Sequence, residues 1–146
     1  MQTNHIDVVN ARILVVEDDD AMREFIVLAL TRMGVRKVKE CADGTVALQL
    51  MGSFWPDVVL TDIHMEPMGG IEFVHRLRDH LTVEFRKTRV IFMSADSSRD
   101  VLKEALSLGA YGYIVKPISF ETLRVKIEHA LSPVDRKLEI SLSRQH

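Results

Sequence analysis

The segment RILVVEDDD, residues 12–20, contains the pattern that decides the fold. Four of its first five residues are apolar, which predicts a short buried strand. A run of four acidic residues, Glu17 to Asp20, follows at the carboxyl end of this strand. The pattern recurs at residues 57–62, DVVLTD, where apolar residues lead directly to Asp62. The chain therefore carries two predicted buried strands that each end in carboxylates.

Outside these segments, strand-like runs alternate with stripes of helical periodicity. Strands are predicted at residues 12–16, 35–41, 58–62, 89–94 and 111–115. Helical stripes run from Met22 to Met33, Val46 to Met51, Ile71 to Leu81, Val101 to Leu108 and Phe120 to Leu131. Asp19 or Asp20 can cap the first helix and Ser119 the last. Apolar strands that alternate with helices predict an α/β fold whose parallel sheet is covered on both faces.

Length and composition limit the classes of protein. The 146 residues suit one globular domain, and 47% hydrophobic residues are enough for a core. A net charge of −2 gives no general attraction to nucleic acid or to an anionic membrane. No run approaches the roughly 20 apolar residues of a membrane span, and no secretory signal is visible. We therefore expect a cytoplasmic protein without direct nucleic-acid or membrane binding, in which the single cysteine, Cys41, is a core residue.

Chemically useful side chains follow four of the predicted strands. In an open parallel sheet, ligands bind beyond the carboxyl ends of the strands, where Glu17, Asp18, Asp62, Ser94 and Lys116 are expected. Three carboxylates in one place repel each other unless a cation lies among them, and hard oxygen ligands favour Mg²⁺ or Mn²⁺. A metal, a lysine and a hydroxyl together indicate a phosphoryl site. A dinucleotide site is excluded because no glycine-rich loop follows the first strand.

Four segments in order resemble the receiver domain of two-component response regulators. They are ILVVEDD at 13–19, VVLTDIHM at 58–65, VIFMSAD at 90–96 and GAYGYIVKP at 109–117. The resemblance covers residues 11–131, which leaves an N-terminal extension at 1–10 and a C-terminal tail at 132–146. It implies a flavodoxin-like, doubly wound, five-stranded parallel sheet with five helices.

The resemblance also implies roles for the residues at the strand ends. Asp62 would be the phosphoacceptor that attacks a phosphohistidine of a sensor histidine kinase or a histidine phosphotransfer protein. Glu17 and Asp18 would hold Mg²⁺ together with Asp62 and the backbone carbonyl of His64. Lys116 would pair with the phosphoryl oxygens.

A switch is implied at the ends of the fourth and fifth strands. Ser94 would hydrogen-bond the phosphoryl group and draw Tyr113 inward. The peptide bond of Lys116–Pro117 would be cis. His64 and Asp96 occupy positions that influence the lifetime of the phosphoryl group in this family.

The loop after the predicted acceptor departs from the family pattern. The usual Met-Pro is interrupted by Glu66, so that the proline is delayed to Pro67. Gly69 and Gly70 then replace a more typical acidic or serine residue followed by glycine. These differences affect the loop and its contacts with partners rather than the acceptor.

The leading interpretation is a stand-alone phosphorylation switch or phosphorelay intermediate. It is not an enzyme acting on a separate substrate, although it would catalyse its own phosphorylation and dephosphorylation. Only fifteen residues follow Leu131, too few for an output domain, so output is expected through protein contact with the fourth helix, fifth strand and fifth helix. Phosphorylation-dependent dimerisation is a further option. The tail would be disordered or an amphipathic extension with Val134, Leu138, Ile140 and Leu142.

Two other interpretations remain open at this stage. The chain could be the receiver half of a DNA-binding regulator from which the output domain has been removed. Alternatively, it could be a phosphohydrolase of the haloacid dehalogenase type, in which Asp18 rather than Asp62 is phosphorylated and Asp20 assists.

Overall fold

A computed structural model describes residues 7–132. The elements in chain order are β1 (Arg12–Val16), α1 (Asp20–Arg32), β2 (Lys37–Cys41), α2 (Gly44–Phe54), β3 (Val58–Asp62), α3 (Gly70–Arg78), α4 (Val83–Arg86), β4 (Arg89–Ser94), α5 (Arg99–Ser107), β5 (Gly112–Val115) and α6 (Phe120–Ala130). No helix within this range combines the length and the apolar character that a membrane span requires. Most of the predicted N-terminal extension and tail, including the stripe from Val134 to Leu142, lies outside the described residues.

The five strands form one parallel sheet in the order β2-β1-β3-β4-β5. This is the predicted flavodoxin-like, doubly wound arrangement, in which the strand order reverses next to β1. β2 lies at one edge, and four of its five residues are partly or fully exposed, as its charged residues predict. β3 is buried over its whole length between β1 and β4, so Asp62 ends the central strand.

Alternate strand residues face two separate cores. Leu14, Val59 and Phe92 belong to the core covered by α2, α3, α4 and α5. The strand residues between them, such as Val15 and Leu60, face the other side of the sheet and belong to the core covered by α1 and α6. Cys41 is buried in the first core, as predicted, and burial raises the pKa of its thiol to about 11.

The predicted caps are confirmed at both ends of the fold. The side chain of Asp19 accepts a hydrogen bond from the amide of Met22, and that of Ser119 accepts one from Thr122. Gly34 follows α1 with a φ of +97°, a conformation that favours glycine. These local signals mark both ends of α1 and the start of α6.

Three predictions about secondary structure were wrong. The described residues contain six helices rather than five, because a four-residue helix, α4, precedes β4. α3 ends at Arg78, and Leu81, predicted on its apolar face, is 94% exposed. β2 begins at Lys37, since Val35 lies between α1 and the strand and packs in the same core as Ala29 and Leu30 of that helix. The helices predicted as fourth and fifth are therefore α5 and α6.

Arg78 connects the end of α4, the helix that was not predicted, to the rest of the fold. Its guanidinium donates hydrogen bonds to the carbonyls of Thr88 (2.7 Å), Arg86 (3.1 Å) and Leu108 (2.7 Å). We expect Arg78→Met to lower the free energy of unfolding by about 2 kcal/mol, because it removes charge-assisted bonds and leaves carbonyls without this partner. Urea denaturation measures the change. The control is Arg76→Met on the same helix, which removes an exposed pair with Glu72 and should cost under about 0.5 kcal/mol; equal losses would contradict the prediction.

Candidate phosphoryl site

The carboxyl ends of β1, β3, β4 and β5 meet at one edge of the sheet. Parallel pairing places Asp62 beside Met93, so the end of β3 adjoins Ser94, the last residue of β4. The amide of Lys116 donates to the carbonyl of Ser94 at 2.8 Å, which holds the residue after β5 against the end of β4. The strand ends thus gather the residues that the sequence predicted for the site.

Glu17, Asp18 and Asp62 form an acidic cluster at this edge. Each offers a carboxylate oxygen, and the three oxygens lie within 4.8 Å of one another. Glu17 is fully buried and Asp62 is 7% exposed, whereas Asp18 is open to solvent. The cluster therefore has two fixed carboxylates and one accessible one. Neither Asp19, which caps α1, nor Asp20 belongs to it.

Lys116 binds both buried carboxylates. Its ammonium lies 2.8 Å from Oε1 of Glu17 and 3.0 Å from Oδ2 of Asp62. Burial raises the pKa of Glu17 to about 7, against the lowering effect of Lys116. Burial disfavours the charged form of Lys116, but its bonds to Glu17 and Asp62 outweigh this effect and raise its pKa. The lysine consequently stays a cation at the centre of the site.

Backbone groups fix the orientation of Asp62. Its Oδ1 accepts hydrogen bonds from the amides of Ile63 (2.7 Å) and His64 (3.4 Å). Its carbonyl accepts a bond from the hydroxyl of Thr61 at 2.9 Å and lies against Gly70. The backbone amides thus hold the carboxylate of Asp62, while Thr61 and Gly70 fix its backbone carbonyl.

The loop after Asp62 depends on Gly69, which departs from the family pattern, and on Gly70, which follows it. The amide of Gly70 donates to the carbonyl of Ile63 at 2.9 Å. A Cβ on Gly69 would lie 2.5 Å from the same carbonyl oxygen, so a side chain would clash with the backbone. The peptide bond between Glu66 and Pro67 is cis, and so is the bond predicted as cis between Lys116 and Pro117.

Ser94 and Tyr113 interact directly and are also connected through one loop residue. The hydroxyl oxygen of Ser94 accepts a bond from the amide of Asp96 at 3.0 Å. The carbonyl of Asp96 accepts a bond from the hydroxyl of Tyr113, whose ring is buried. Burial raises the pKa of this phenol. The backbone of Asp96 thus joins the two residues that the resemblance assigns to a switch.

His64 and Asp96 face each other beside the site. Nε2 of His64 lies 3.7 Å from Oδ2 of Asp96, and the imidazole is mostly exposed. The resemblance assigned both residues an influence on the lifetime of the phosphoryl group, but their pairing was not predicted. The backbone carbonyl of His64 as a metal ligand stays a prediction.

Sequence reasoning missed Arg23. Its guanidinium donates to the carbonyl of Glu17 at 2.7 Å and also bonds Asp20 and Glu40. The arginine therefore fastens the first helix to the strand end that carries the acidic cluster. The only signal in the sequence is its position three residues after Asp20, which is common for an ordinary surface pair.

This chain is similar to known proteins in sequence and in fold. The family model described as response regulator receiver domain matches residues 13–128. The chain is 33% identical over 124 residues to the chemotaxis protein CheY of Pseudomonas aeruginosa, a match that covers 85% of this chain and 98% of that protein. It is 37% identical over 130 residues to the regulatory protein AtoC of Escherichia coli, where the match covers 88% of this chain but only 27% of the relative.

A solved structure agrees with the sequence comparison. The chemotaxis response regulator CheY4 of Vibrio cholerae superimposes with a TM-score of 0.74 at 29% identity, covering 82% of this chain and 98% of that one. The family match extends from β1 to α6 and includes every strand end described above. The chain therefore belongs to the response regulator receiver domain family.

Proposed function

We propose that this receiver domain accepts a phosphoryl group on Asp62 and switches its protein contacts in response. The observation that carries the proposal is the position of Asp62, a nearly buried carboxylate at the end of the central strand that is held by backbone amides and by Lys116. Such a carboxylate is a fixed nucleophile. We further propose that the chain acts on no separate substrate and catalyses only its own phosphorylation and dephosphorylation.

The reaction is an in-line displacement at phosphorus. A carboxylate oxygen of Asp62 attacks the phosphohistidine of a sensor histidine kinase or a histidine phosphotransfer protein. The new bond joins this oxygen to phosphorus, while the phosphorus–nitrogen bond breaks and the imidazole nitrogen keeps its electron pair. Water reverses the modification by attacking the same phosphorus, which releases inorganic phosphate and restores the Asp62 carboxylate.

Lys116 and Ser94 supply positive charge and a hydroxyl to the phosphoryl oxygens. The ammonium already lies 3.0 Å from Oδ2 of Asp62, so it can follow the negative charge onto an attached phosphoryl group. Ser94 ends the neighbouring strand, and its hydroxyl would donate to a second oxygen. Lys116, already paired with Asp62, and Ser94 would both gain new contacts once a phosphoryl group is attached.

The acidic cluster fits a divalent cation. Receiver domains generally bind Mg²⁺ at an acidic pocket, and the oxygens of Glu17, Asp18 and Asp62 are the hard ligands that Mg²⁺ or Mn²⁺ prefers. When bound, the cation would neutralise charge on the phosphoryl oxygens. Fully buried Glu17 and accessible Asp18 suit a site that is fixed on one side and open on the other. The backbone carbonyl of His64 is our further candidate ligand.

The phosphorylated domain would contact its downstream partner through α5, β5 and α6. β5 is the edge strand, and Tyr113 lies within it, hydrogen-bonded to Asp96 in the loop before α5. A phosphoryl group that draws Ser94 toward Asp62 would pull on the same loop and change this surface. Comparison of proteins captured from cell extract with and without beryllofluoride, which mimics the aspartyl phosphate, would identify the partner. Dimerisation of the phosphorylated chain would appear as a concentration-dependent increase in mass.

Mass mapping tests the acceptor directly. The protein is incubated with acetyl phosphate and Mg²⁺, and its peptides are searched for the gain of one phosphoryl group. We expect the modification on Asp62 alone. Modification of Asp18 would instead support the phosphohydrolase interpretation and refute the present proposal.

Removing the His64–Asp96 pair is expected to shorten the lifetime of the phosphoryl group. His64 follows Asp62 by two residues and donates its backbone amide to the Asp62 carboxylate, and its side chain pairs with that of Asp96. We propose that the pair narrows the approach of water to the acyl phosphate. We expect His64→Ala and Asp96→Ala each to speed dephosphorylation severalfold, measured as phosphate release. The control is Glu104→Ala on α5, where an exposed carboxylate is removed without touching the pair. Decay at the native rate in both variants would contradict the prediction.

A further inference from the structure

Arg23 reaches from α1 back to the residue that follows β1. Its guanidinium donates to the carbonyl oxygen of Glu17 at 2.7 Å. It also donates to Oδ1 of Asp20 at 2.7 Å and to Oε1 of Glu40, on β2, at 3.0 Å. Side chains on a helix lean toward its N-terminus, which explains how the fourth residue of α1 can make these contacts. With its side chain 19% exposed, the arginine joins three segments of the chain.

The helix itself does not favour a cation at this position. The N-terminal turn of a helix carries partial positive charge, which repels an arginine and attracts a carboxylate such as Asp20. The pairs with Asp20 and Glu40 offset this cost. Neither pair, however, requires a further bond to a backbone carbonyl at the strand end. The charge-assisted bond to the carbonyl of Glu17 is therefore the contact that ion pairing does not explain.

The carbonyl of Glu17 belongs to the peptide unit between two members of the acidic cluster, Glu17 and Asp18. A peptide unit is planar and includes the Cα atoms of both residues. One strong bond to its oxygen therefore restrains the backbone from which both side chains start. The amide of Glu17, in the preceding unit, donates to the carbonyl of Cys41 at 3.0 Å. Arg23 thus completes the restraint of the backbone on both sides of Glu17.

The two carboxylates depend on this restraint to different degrees. That of Glu17 is buried and is also held by Lys116 at 2.8 Å and by the amide of Asp19 at 3.2 Å. Asp18 is exposed, so packing restrains its carboxylate less and the backbone restrains it more. Loss of Arg23 should therefore displace Asp18 more than Glu17.

We propose that Arg23 is a positioning residue for the divalent cation, because it holds the peptide unit from which the carboxylates of Glu17 and Asp18 reach the ion. The inference rests on the proposed function, since it assumes that the acidic cluster binds Mg²⁺. Mg²⁺ demands near-octahedral geometry, whereas Ca²⁺ accepts irregular arrangements of oxygen ligands. A loosened peptide unit should therefore weaken the binding of Mg²⁺ more than that of Ca²⁺.

Metal titration of Arg23→Met tests the proposal without a phosphoryl donor. Binding of Mn²⁺ is followed by the electron paramagnetic resonance of the free ion, and Mg²⁺ and Ca²⁺ are measured by competition. We expect the dissociation constant for Mg²⁺ to rise about tenfold, as is common when a group that orients metal ligands is removed. The constant for Ca²⁺ should rise no more than about threefold. Methionine keeps most of the aliphatic stem of arginine, so the packing changes little.

Arg124→Met is the matched control for this titration. Arg124 pairs with Glu121 and Glu128, so its loss also frees two carboxylates, but its bonds run within α6 alone. We expect the native dissociation constants for both ions in this variant. Urea denaturation of each variant confirms that the protein titrated is folded.

Arg23→Lys provides a second test if Arg23→Met does not fold. Lysine can still donate to the carbonyl of Glu17 but lacks the fork that joins three oxygens, so the Mg²⁺ constant should rise about threefold. Native Mg²⁺ constants in the Arg23 variants would overturn the inference and leave the proposed metal site intact. Equal rises for Mg²⁺ and Ca²⁺ would also overturn it, because a loss of folded protein weakens the binding of every ion alike. A native chain that binds neither Mg²⁺ nor Mn²⁺ would instead refute the proposed metal site, and this inference with it.

Discussion

Asp62→Asn is expected to abolish phosphorylation by acetyl phosphate, a loss of at least about a hundredfold in rate. The amide oxygen of asparagine can still accept the bonds from Ile63 and His64, so the loop should keep its structure. The amide is a poor nucleophile, however, and it lacks the charge that pairs with Lys116. Incorporation of radiolabelled phosphate at fixed Mg²⁺ measures the change.

Asp20→Asn is the matched control for that experiment. Asp20 is an exposed carboxylate near the same strand end, but it pairs with Arg23 and lies outside the acidic cluster. We expect the Asp20→Asn protein to incorporate phosphate at close to the native rate. If phosphate incorporation persisted in Asp62→Asn and vanished in Asp20→Asn, the phosphorylated residue would lie at the end of the first strand. That result would refute the role of Asp62.

Gly70→Ala is expected to cost about 3 kcal/mol or more of unfolding free energy. A Cβ at this position would lie 2.0 Å from the carbonyl oxygen of Asp62 and 3.0 Å from the hydroxyl of Thr61. The first of these neighbours is backbone in a fully buried strand, so it cannot move aside cheaply. α3 would have to shift away from the end of β3, and Asp62 would be displaced with it.

Gly52→Ala should have the opposite effect. Gly52 lies within α2, and a Cβ there meets nothing within 4 Å. Alanine should therefore stabilise the helix by about 0.5–1 kcal/mol through its better helix propensity. Urea denaturation of both variants measures the two changes, and a midpoint for Gly70→Ala near that of Gly52→Ala would refute the proposed clash.

The fold was predicted where the sequence carries a strong local signal. Four of the strands were recognised as apolar runs, and the caps at Asp19 and Ser119 as short polar residues before a helical stripe. The short helix α4 was missed because four residues are too few to show a periodicity. Leu81 was assigned to α3 because its spacing fits that helix, but the chain leaves the helix after Arg78. Spacing alone does not distinguish an apolar residue on a helix from one just beyond it.

The residues of the site were predicted by type and place, but not their contacts. A carboxylate that follows an apolar run identifies the end of a strand, and the parallel topology brings such ends together. Arg23 gives no comparable signal, although it holds the carbonyl of Glu17. The link from Ser94 through Asp96 to Tyr113 was also invisible, because it depends on a backbone carbonyl between two strands.

The sequence by itself determined the α/β class, the buried strands and the acidic, basic and hydroxyl residues at their ends. These follow from local patterns of apolar and polar residues, which need no knowledge of distant neighbours. Only the tertiary structure decided that Lys116 bonds Glu17 and Asp62 together, and that Glu17 is buried deeply enough to raise its pKa to about 7. It also decided that Gly70 must lack a side chain and that Trp55 stands half exposed at the far end of the sheet. Such properties arise from groups that are remote in the chain and become neighbours only when the strands pair.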